Sequence, residues 1–162
     1  MKFAIIAAGE GSRLAEEGIS APKPLIPLCG TAMIERLVRI FAANDAEEIV
    51  IIVNRLRPET ESFVRRLADE HPEWNLRIEV ETTPSSMHSF ARIAPLLDGA
   101  PFCLTTVDTI FREEDFRAYI AAFRSALEAG LDGLMAVTDF IDDESPLYIG
   151  TDEALNIDGF YD

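Results

Sequence analysis

Gly9, Gly11, Arg13 and Lys23 are the residues of this chain whose types and spacing could do chemistry. They stand in Ala4-Ile5-Ile6-Ala7-Ala8-Gly9-Glu10-Gly11-Ser12-Arg13-Leu14 and, a little further on, in Pro22-Lys23-Pro24-Leu25. An apolar run feeds directly into a turn punctuated by glycines, where backbone N–H groups can approach phosphate oxygens with no Cβ in the way. Arg13 can grip two oxygens at once, and Lys23 is a movable point charge. The prolines on either side of Lys23 are expected to hold its backbone extended, so the cation is in place before a ligand arrives. Such a loop, with two cations beside it, is suited to a polyphosphate and so to a nucleoside triphosphate.

Two familiar glycine-loop designs fail on spacing. The GxxxxGK[ST] string of a P-loop does not occur. The GxGxxG dinucleotide fingerprint gets its first two glycines from Gly9 and Gly11, but Leu14 stands in the third place. Asn54 and Arg55 occupy the end of the second strand, where an acidic residue would hold a ribose.

Bulk composition narrows the partners. A formal net charge of −15 in 162 residues argues against non-specific nucleic-acid binding, which depends on clustered Lys and Arg. An acidic protein that binds a polyanion must concentrate its few cations and recruit a divalent metal. The apolar runs at residues 3–8 and 49–53 are far too short to span a bilayer, and the N-terminus lacks the h-region of a signal peptide. Cys29 and Cys103 have no metal-binding or redox spacing, and reduced thiols in the cytoplasm account for them. His71 and His88 are isolated from any ligand pattern. Asp142-Asp143-Glu144 lacks the spacing of a calcium loop and reads as a solvated run.

The elements that must position these residues alternate along the chain. Strands are expected at 3–8, 48–53, 76–80, 102–107 and 133–138. Helices are expected at 31–44 with Thr31 as cap, at 58–70, at 86–97 with Pro95 kinking or ending it, and at 113–129 with Gly130 closing it. In the first helix Ile34, Leu37, Val38 and Phe41 share one face, as do Phe116, Ile120, Phe123 and Leu127 in the last. A β-hairpin should follow, with arms near 147–150 and 155–157. Repeated strand–helix order implies α/β class: a three-layer α/β/α domain over residues 1–162 with a mostly parallel twisted sheet. Ligands in such sheets bind beyond the carboxyl ends of the strands, where the glycine turn and Asp108 both fall.

Gly9-Glu10-Gly11-Ser12-Arg13-Leu14, then Pro22-Lys23-Pro24-Leu25 and the turn Leu28-Cys29-Gly30-Thr31, resemble the signature of the sugar-1-phosphate nucleotidyltransferases. The resemblance covers essentially the whole chain as the N-terminal part of such an enzyme, whose members continue past the hairpin. It implies a nucleotide-diphospho-sugar transferase fold, Rossmann-like in its layering. The implied reaction transfers NMP from an NTP to a sugar-1-phosphate or related alcohol phosphate, with release of pyrophosphate. It assigns catalytic duty to Arg13, at the departing pyrophosphate, and to Lys23, at the α-phosphate and acceptor. Ala7, Ala8, Gly9, Gly11 and Ser12 would contact the nucleotide from the first loop, and Thr83, Ser85 and Ser86 from a base-reading loop. Asp108 would hold Mg²⁺. Val107 stands where the family usually has glycine before that aspartate, and Ser85-Ser86 where it often has Gly-Thr, so the base stays open. So do a homo-oligomeric state and an alternative reading, a nucleotide- or sugar-phosphate-binding module without catalysis.

Overall fold

A computed structural model describes residues 1–9, 18, 21–140 and 146–161. The chain forms two compact units, Met1–Ala118 and Tyr119–Asp162.

The first unit is built on a parallel sheet of four strands in the order β5-β4-β1-β6. Its members are β1 (Lys2–Ala7), β4 (Glu48–Val53), β5 (Leu76–Val80) and β6 (Phe102–Thr106). A minimal hairpin, β2 (Pro27–Leu28) with β3 (Thr31–Ala32), lies between the first two in sequence. β1 and β4 are central, so both of their faces are covered and they read as unbroken apolar runs. Phe3, Ala4, Ile5, Ile49, Val50, Ile51, Ile52 and Val53 are all fully buried.

Alternation along the strands divides this core between two faces. On one face Phe3 of β1 meets Phe41 of helix α1 (Met33–Ala42), ring centroids 4.7 Å apart, and Phe116 stacks on Phe41 at 5.3 Å. On the other, Ala4, Ile6, Ala8, Val50 and Ile52 pack against Ile93 and Leu97 of helix α3 (Ser86–Leu97). Helix α2 (Pro58–Glu70) connects β4 to β5 and buries Thr60, Val64 and Leu67, while Phe63 is half-buried beneath the Arg66 guanidinium. Proline at the first helical position of α2 costs no hydrogen bond.

Some expected boundaries shift for identifiable reasons. Thr31 does not cap α1. It pairs with Leu28 across the Cys29-Gly30 turn, whose positive φ angles of 49° and 87° suit a two-residue hairpin, and the helix starts at Met33 with no side-chain cap. Pro95 lies inside α3, which ends two residues later at Leu97. Cys103 is buried in β6, where desolvation pushes its thiol up to about 11; Cys29 is exposed, and both are free thiols.

Helix α4 (Glu113–Glu128) begins in the first unit and continues into the second. Phe116, Ile120, Phe123 and Ala126 are buried, with Ala126 in the place expected of Leu127. Gly130 at φ +80° closes the helix: its N–H donates to Leu127 O while Leu131 N–H donates to Ala126 O, the paired bonds of a Schellman cap. The strand expected at 133–138 is absent: the segment has no regular structure and joins no sheet among the described residues. Apolar character alone does not make a strand; its N–H and C=O groups need a ladder partner.

The C-terminal hairpin pairs β7 (Tyr148–Thr151) with β8 (Ile157–Tyr161), so its second arm runs further than expected. Asp152 organises the turn by accepting from the N–H groups of Ala154 and Asn156 and from the Asn156 amide. Those bonds hold its carboxyl below the ordinary aspartate range. Asp142, Asp143 and Glu144 lie outside the described residues.

Candidate functional site at the carboxyl ends of β1 and β6

β1 and β6 are neighbours in register from Lys2↔Phe102 to Ile6↔Thr106, so their carboxyl ends reach the same rim. Val107 N–H donates to Ile6 O at 3.0 Å and extends the pairing one step, which places Asp108 beside the end of β1. A turn then follows, with Thr109 N–H on Thr106 O and the two threonine hydroxyls 3.1 Å apart. Arg36 of α1 donates to Phe111 O and lies over the Phe111 ring, whose other contact is Phe116 at 4.8 Å. The segment carrying Asp108 is thus fastened at both ends, to the sheet and to a core helix.

Lys23 comes from the segment before β2. It opens a 3-10 turn, Lys23–Leu25, closed by Leu25 N–H on Pro22 O at 2.8 Å. The expected extended backbone is therefore corrected. A single 3-10 turn uses none of the donors that proline lacks, so Pro24 fits inside it and is itself buried. Its side chain reaches across 85 positions of sequence to Asp108, with Nζ donating to Oδ2 at 2.5 Å. The pair is open to solvent, with 34% of the lysine and 44% of the aspartate side chain accessible. For Asp108, burial is the largest single influence and opposes the charge. Hydrogen bonds from Lys23 and Thr106, with the Lys23 charge, together outweigh it and hold the carboxyl below its ordinary value.

A second rim feature lay unrecognised in the sequence. Asn54, immediately after β4, is buried and bonds through both ends of its amide. Its Nδ2 donates to Ala8 O at 2.8 Å, and its Oδ1 accepts from Leu56 N–H at 2.9 Å and from the Thr82 hydroxyl at 2.8 Å. One side chain thereby ties the end of β1 to the loop leading out of β5. The available signal was a polar amide at the end of an apolar strand, a position that needs partners if the side chain turns inward.

In that loop Thr83 Oγ1 lies 2.5 Å from Ser89 Oγ. Ser85 is the N-cap of α3: its hydroxyl accepts from His88 N–H and also bonds His88 Nδ1 at 2.8 Å. Capping thus engages the Ser85 oxygen proposed to read a base, and Ser86 is the exposed first residue of the helix. Ala7 and Ala8 are buried at the end of β1, and Gly9 is exposed, with no heavy atom of the described residues outside its chain neighbours within 4 Å of where a Cβ would stand. Gly11, Ser12 and Arg13 lie outside the described residues.

The donor set fits a hard divalent cation that brings ligands with it. Asp108 offers one accessible carboxylate, and the described residues contain no group of three or more His, Cys, Asp or Glu side chains that could cage a metal. Mg²⁺ is commonly held in this way, by one or two carboxylates completed by water and substrate phosphate.

A family model described as "MobA-like NTP transferase domain" matches residues 3–151, and the chain belongs to that family. Its curated relatives include a mannose-1-phosphate guanyltransferase of Schizosaccharomyces pombe, 34% identical over 143 residues, covering 85% of this chain and 38% of the relative. A CMP-5'-(3-aminopropyl)phosphonate synthase of Streptomyces rubellomurinus is 28% identical over 162 residues, covering 88% of this chain and 25% of that protein. The chain covers between 25% and 38% of the length of these curated relatives. In fold it is similar to the crystal structure of HddC from Yersinia pseudotuberculosis. That likeness has a TM-score of 0.68 at 17% identity and covers 98% of this chain and 68% of the other. The chain is thus homologous to sugar-1-phosphate nucleotidyltransferases and has the α/β fold expected from its sequence.

Proposed function

We propose that this chain binds a nucleoside triphosphate at the rim of β1 and β6 and transfers its nucleotidyl group to a sugar-1-phosphate or related phosphorylated acceptor. The observation that carries this reading is the Lys23–Asp108 pair. A cation and a hard anionic ligand meet at the carboxyl ends of adjacent strands, the rim where Gly9 follows β1. The kinship with a mannose-1-phosphate guanyltransferase supports the reaction class, and the phosphonate synthase supports a broader view of the acceptor.

In this reaction an oxygen of the acceptor phosphate forms a new bond to the α-phosphorus as the α–β bridging bond breaks, and pyrophosphate departs in line. The acceptor phosphate is already ionised, so no general base is needed. Positioning and charge stabilisation supply the catalysis. Lys23 steadies the α-phosphate and acceptor, and Arg13 holds the departing pyrophosphate. Backbone of Ala7, Ala8, Gly9, Gly11 and Ser12 lines the nucleotide, and Asn54 holds the carbonyl of Ala8. Thr83, Ser85 and Ser86 face the base, Ser85 chiefly through its backbone. Mg²⁺ on Asp108 would neutralise phosphate charge and act as a Lewis acid at the transferring group.

No helix among the described residues is long and apolar enough to cross a membrane. With the phosphorylated substrates and the unpaired thiols, this supports action in the cytoplasm.

A thermal-stability screen of the four common NTPs tests the nucleotide assignment. GTP with Mg²⁺ should stabilise the chain most. Ligand at 100 times its dissociation constant adds about 2.7 kcal/mol, which raises the unfolding midpoint of a protein this size by roughly 5–10 °C. Equal small shifts with all four nucleotides would contradict a base-reading site.

A further inference from the structure

We propose that Lys23 and Asp108 exchange partners when substrate binds, which makes Asp108 the residue that rejects triphosphate arriving without its metal. This deepens the nucleotide-site reading above and rests on it.

Two independent features lead there. The first is the contact itself: Lys23 Nζ sits 2.5 Å from Asp108 Oδ2, so the lysine neutralises the carboxylate. The second is the poverty of the acidic set, since the described residues supply no cluster able to cage an ion. A lone carboxylate already paired to an ammonium is a weak metal site. It becomes a good one only when phosphate oxygens complete the coordination and draw the lysine away.

Only one combination gives both Lys23 and Asp108 an opposite charge once triphosphate is bound. If triphosphate enters alone, Lys23 must either stay on Asp108 or turn to the phosphate and leave a bare carboxylate facing a polyanion. If triphosphate enters with a divalent cation, the metal takes the carboxylate and Lys23 is released to the phosphate. Asp108 thus penalises the metal-free ligand and favours the complexed one, an instance of selectivity built from a repulsive element.

A pure metal-ligand role predicts that loss of Asp108 only weakens binding. Exchange predicts the opposite sign in the absence of metal. Inorganic tripolyphosphate is the suitable probe, because its binding does not depend on which base the site reads. Its affinity for the full chain is measured by calorimetry in EDTA and in excess Mg²⁺, for wild type, Asp108→Asn, Lys23→Met and the double variant. Unfolding midpoints are recorded alongside.

In EDTA, Asp108→Asn should bind tripolyphosphate about fivefold more tightly than wild type, the upper end for an accessible charge pair, and should respond little to Mg²⁺. The gain should be at least about threefold smaller in the Lys23→Met background, because part of it comes from the released lysine. Two results overturn the proposal while leaving the phosphate site intact: metal-free binding by Asp108→Asn no tighter than wild type, or an equal gain in both backgrounds. Absence of tripolyphosphate binding in every arm overturns both the proposal and the reading beneath it.

Discussion

Lys23→Ala is expected to lower turnover by about 10²–10³-fold, the range for loss of one fixed electrostatic group from a transition-state site. Stability should barely move. The side chain is one-third accessible and its ion pair with Asp108 is open to water. Pairs of this kind contribute about 0–1 kcal/mol, and the aspartate left behind can be solvated. The buried neighbour that shapes the turn is Pro24, which the substitution leaves in place. The loss should fall on kcat and kcat/KM together, as for an interaction made in the transition state, rather than on KM alone. Steady-state pyrophosphate release alongside thermal unfolding gives both quantities. Turnover within about threefold of wild type, with unchanged stability, would remove Lys23 from the mechanism.

Phe41→Ala should have the converse profile, a large loss of stability from a core residue that carries no proposed contact with substrate. Phe41 is fully buried between Phe3 of β1 and Phe116, at 4.7 Å and 5.3 Å between centroids. Three elements meet through that ring: the central strand, α1 and the start of α4. Truncating a buried phenylalanine costs about 3–5 kcal/mol, because the removed atoms lose their burial and a cavity remains. Against a whole-domain stability of about 5–15 kcal/mol, that loss should be plain in denaturant unfolding. A decrease below about 1 kcal/mol would mean that the core collapses around the gap or that this cluster is not the centre of the domain.

Much of this architecture is legible in the residues because its signals are local. Buried parallel strands declare themselves as apolar runs, and the expected bounds 48–53 and 76–80 coincide with β4 and β5. Pro58 marks the start of α2, and Gly130 the end of α4, through backbone constraints that no tertiary context relieves. The departures come where the deciding partner is distant in sequence. Thr31 has the chemistry of a cap, but a hairpin with Leu28 claims its backbone first. Residues 133–138 have the composition of a strand but no ladder. Lys23 looked pre-extended from its flanking prolines, whereas the closure of Leu25 N–H onto Pro22 O coils it.

The site divides along the same line. Lys23 and Asp108 were recognisable one at a time from motif and strand position, but their direct contact across 85 positions of sequence depends on the fold. Asn54 counted in the sequence only as the missing acid of a dinucleotide fold. Folded, its three hydrogen bonds join Ala8, Leu56 and Thr82 and make it a brace between the end of β1 and the loop after β5. Ser85, expected to face the base, serves as the N-cap of α3.

The central claim is nucleotidyl transfer at the rim of β1 and β6, and pyrophosphate release tests it most directly. The purified chain is incubated with GTP, Mg²⁺ and a panel of sugar-1-phosphates, with Lys23→Ala as the control. The account predicts pyrophosphate release that requires both the nucleotide and one acceptor class, with matching formation of a nucleoside diphosphate-sugar and near-abolition in the variant. Saturable GTP binding with no pyrophosphate released from any acceptor would contradict it, and would leave the chain a nucleotide-binding module without catalysis.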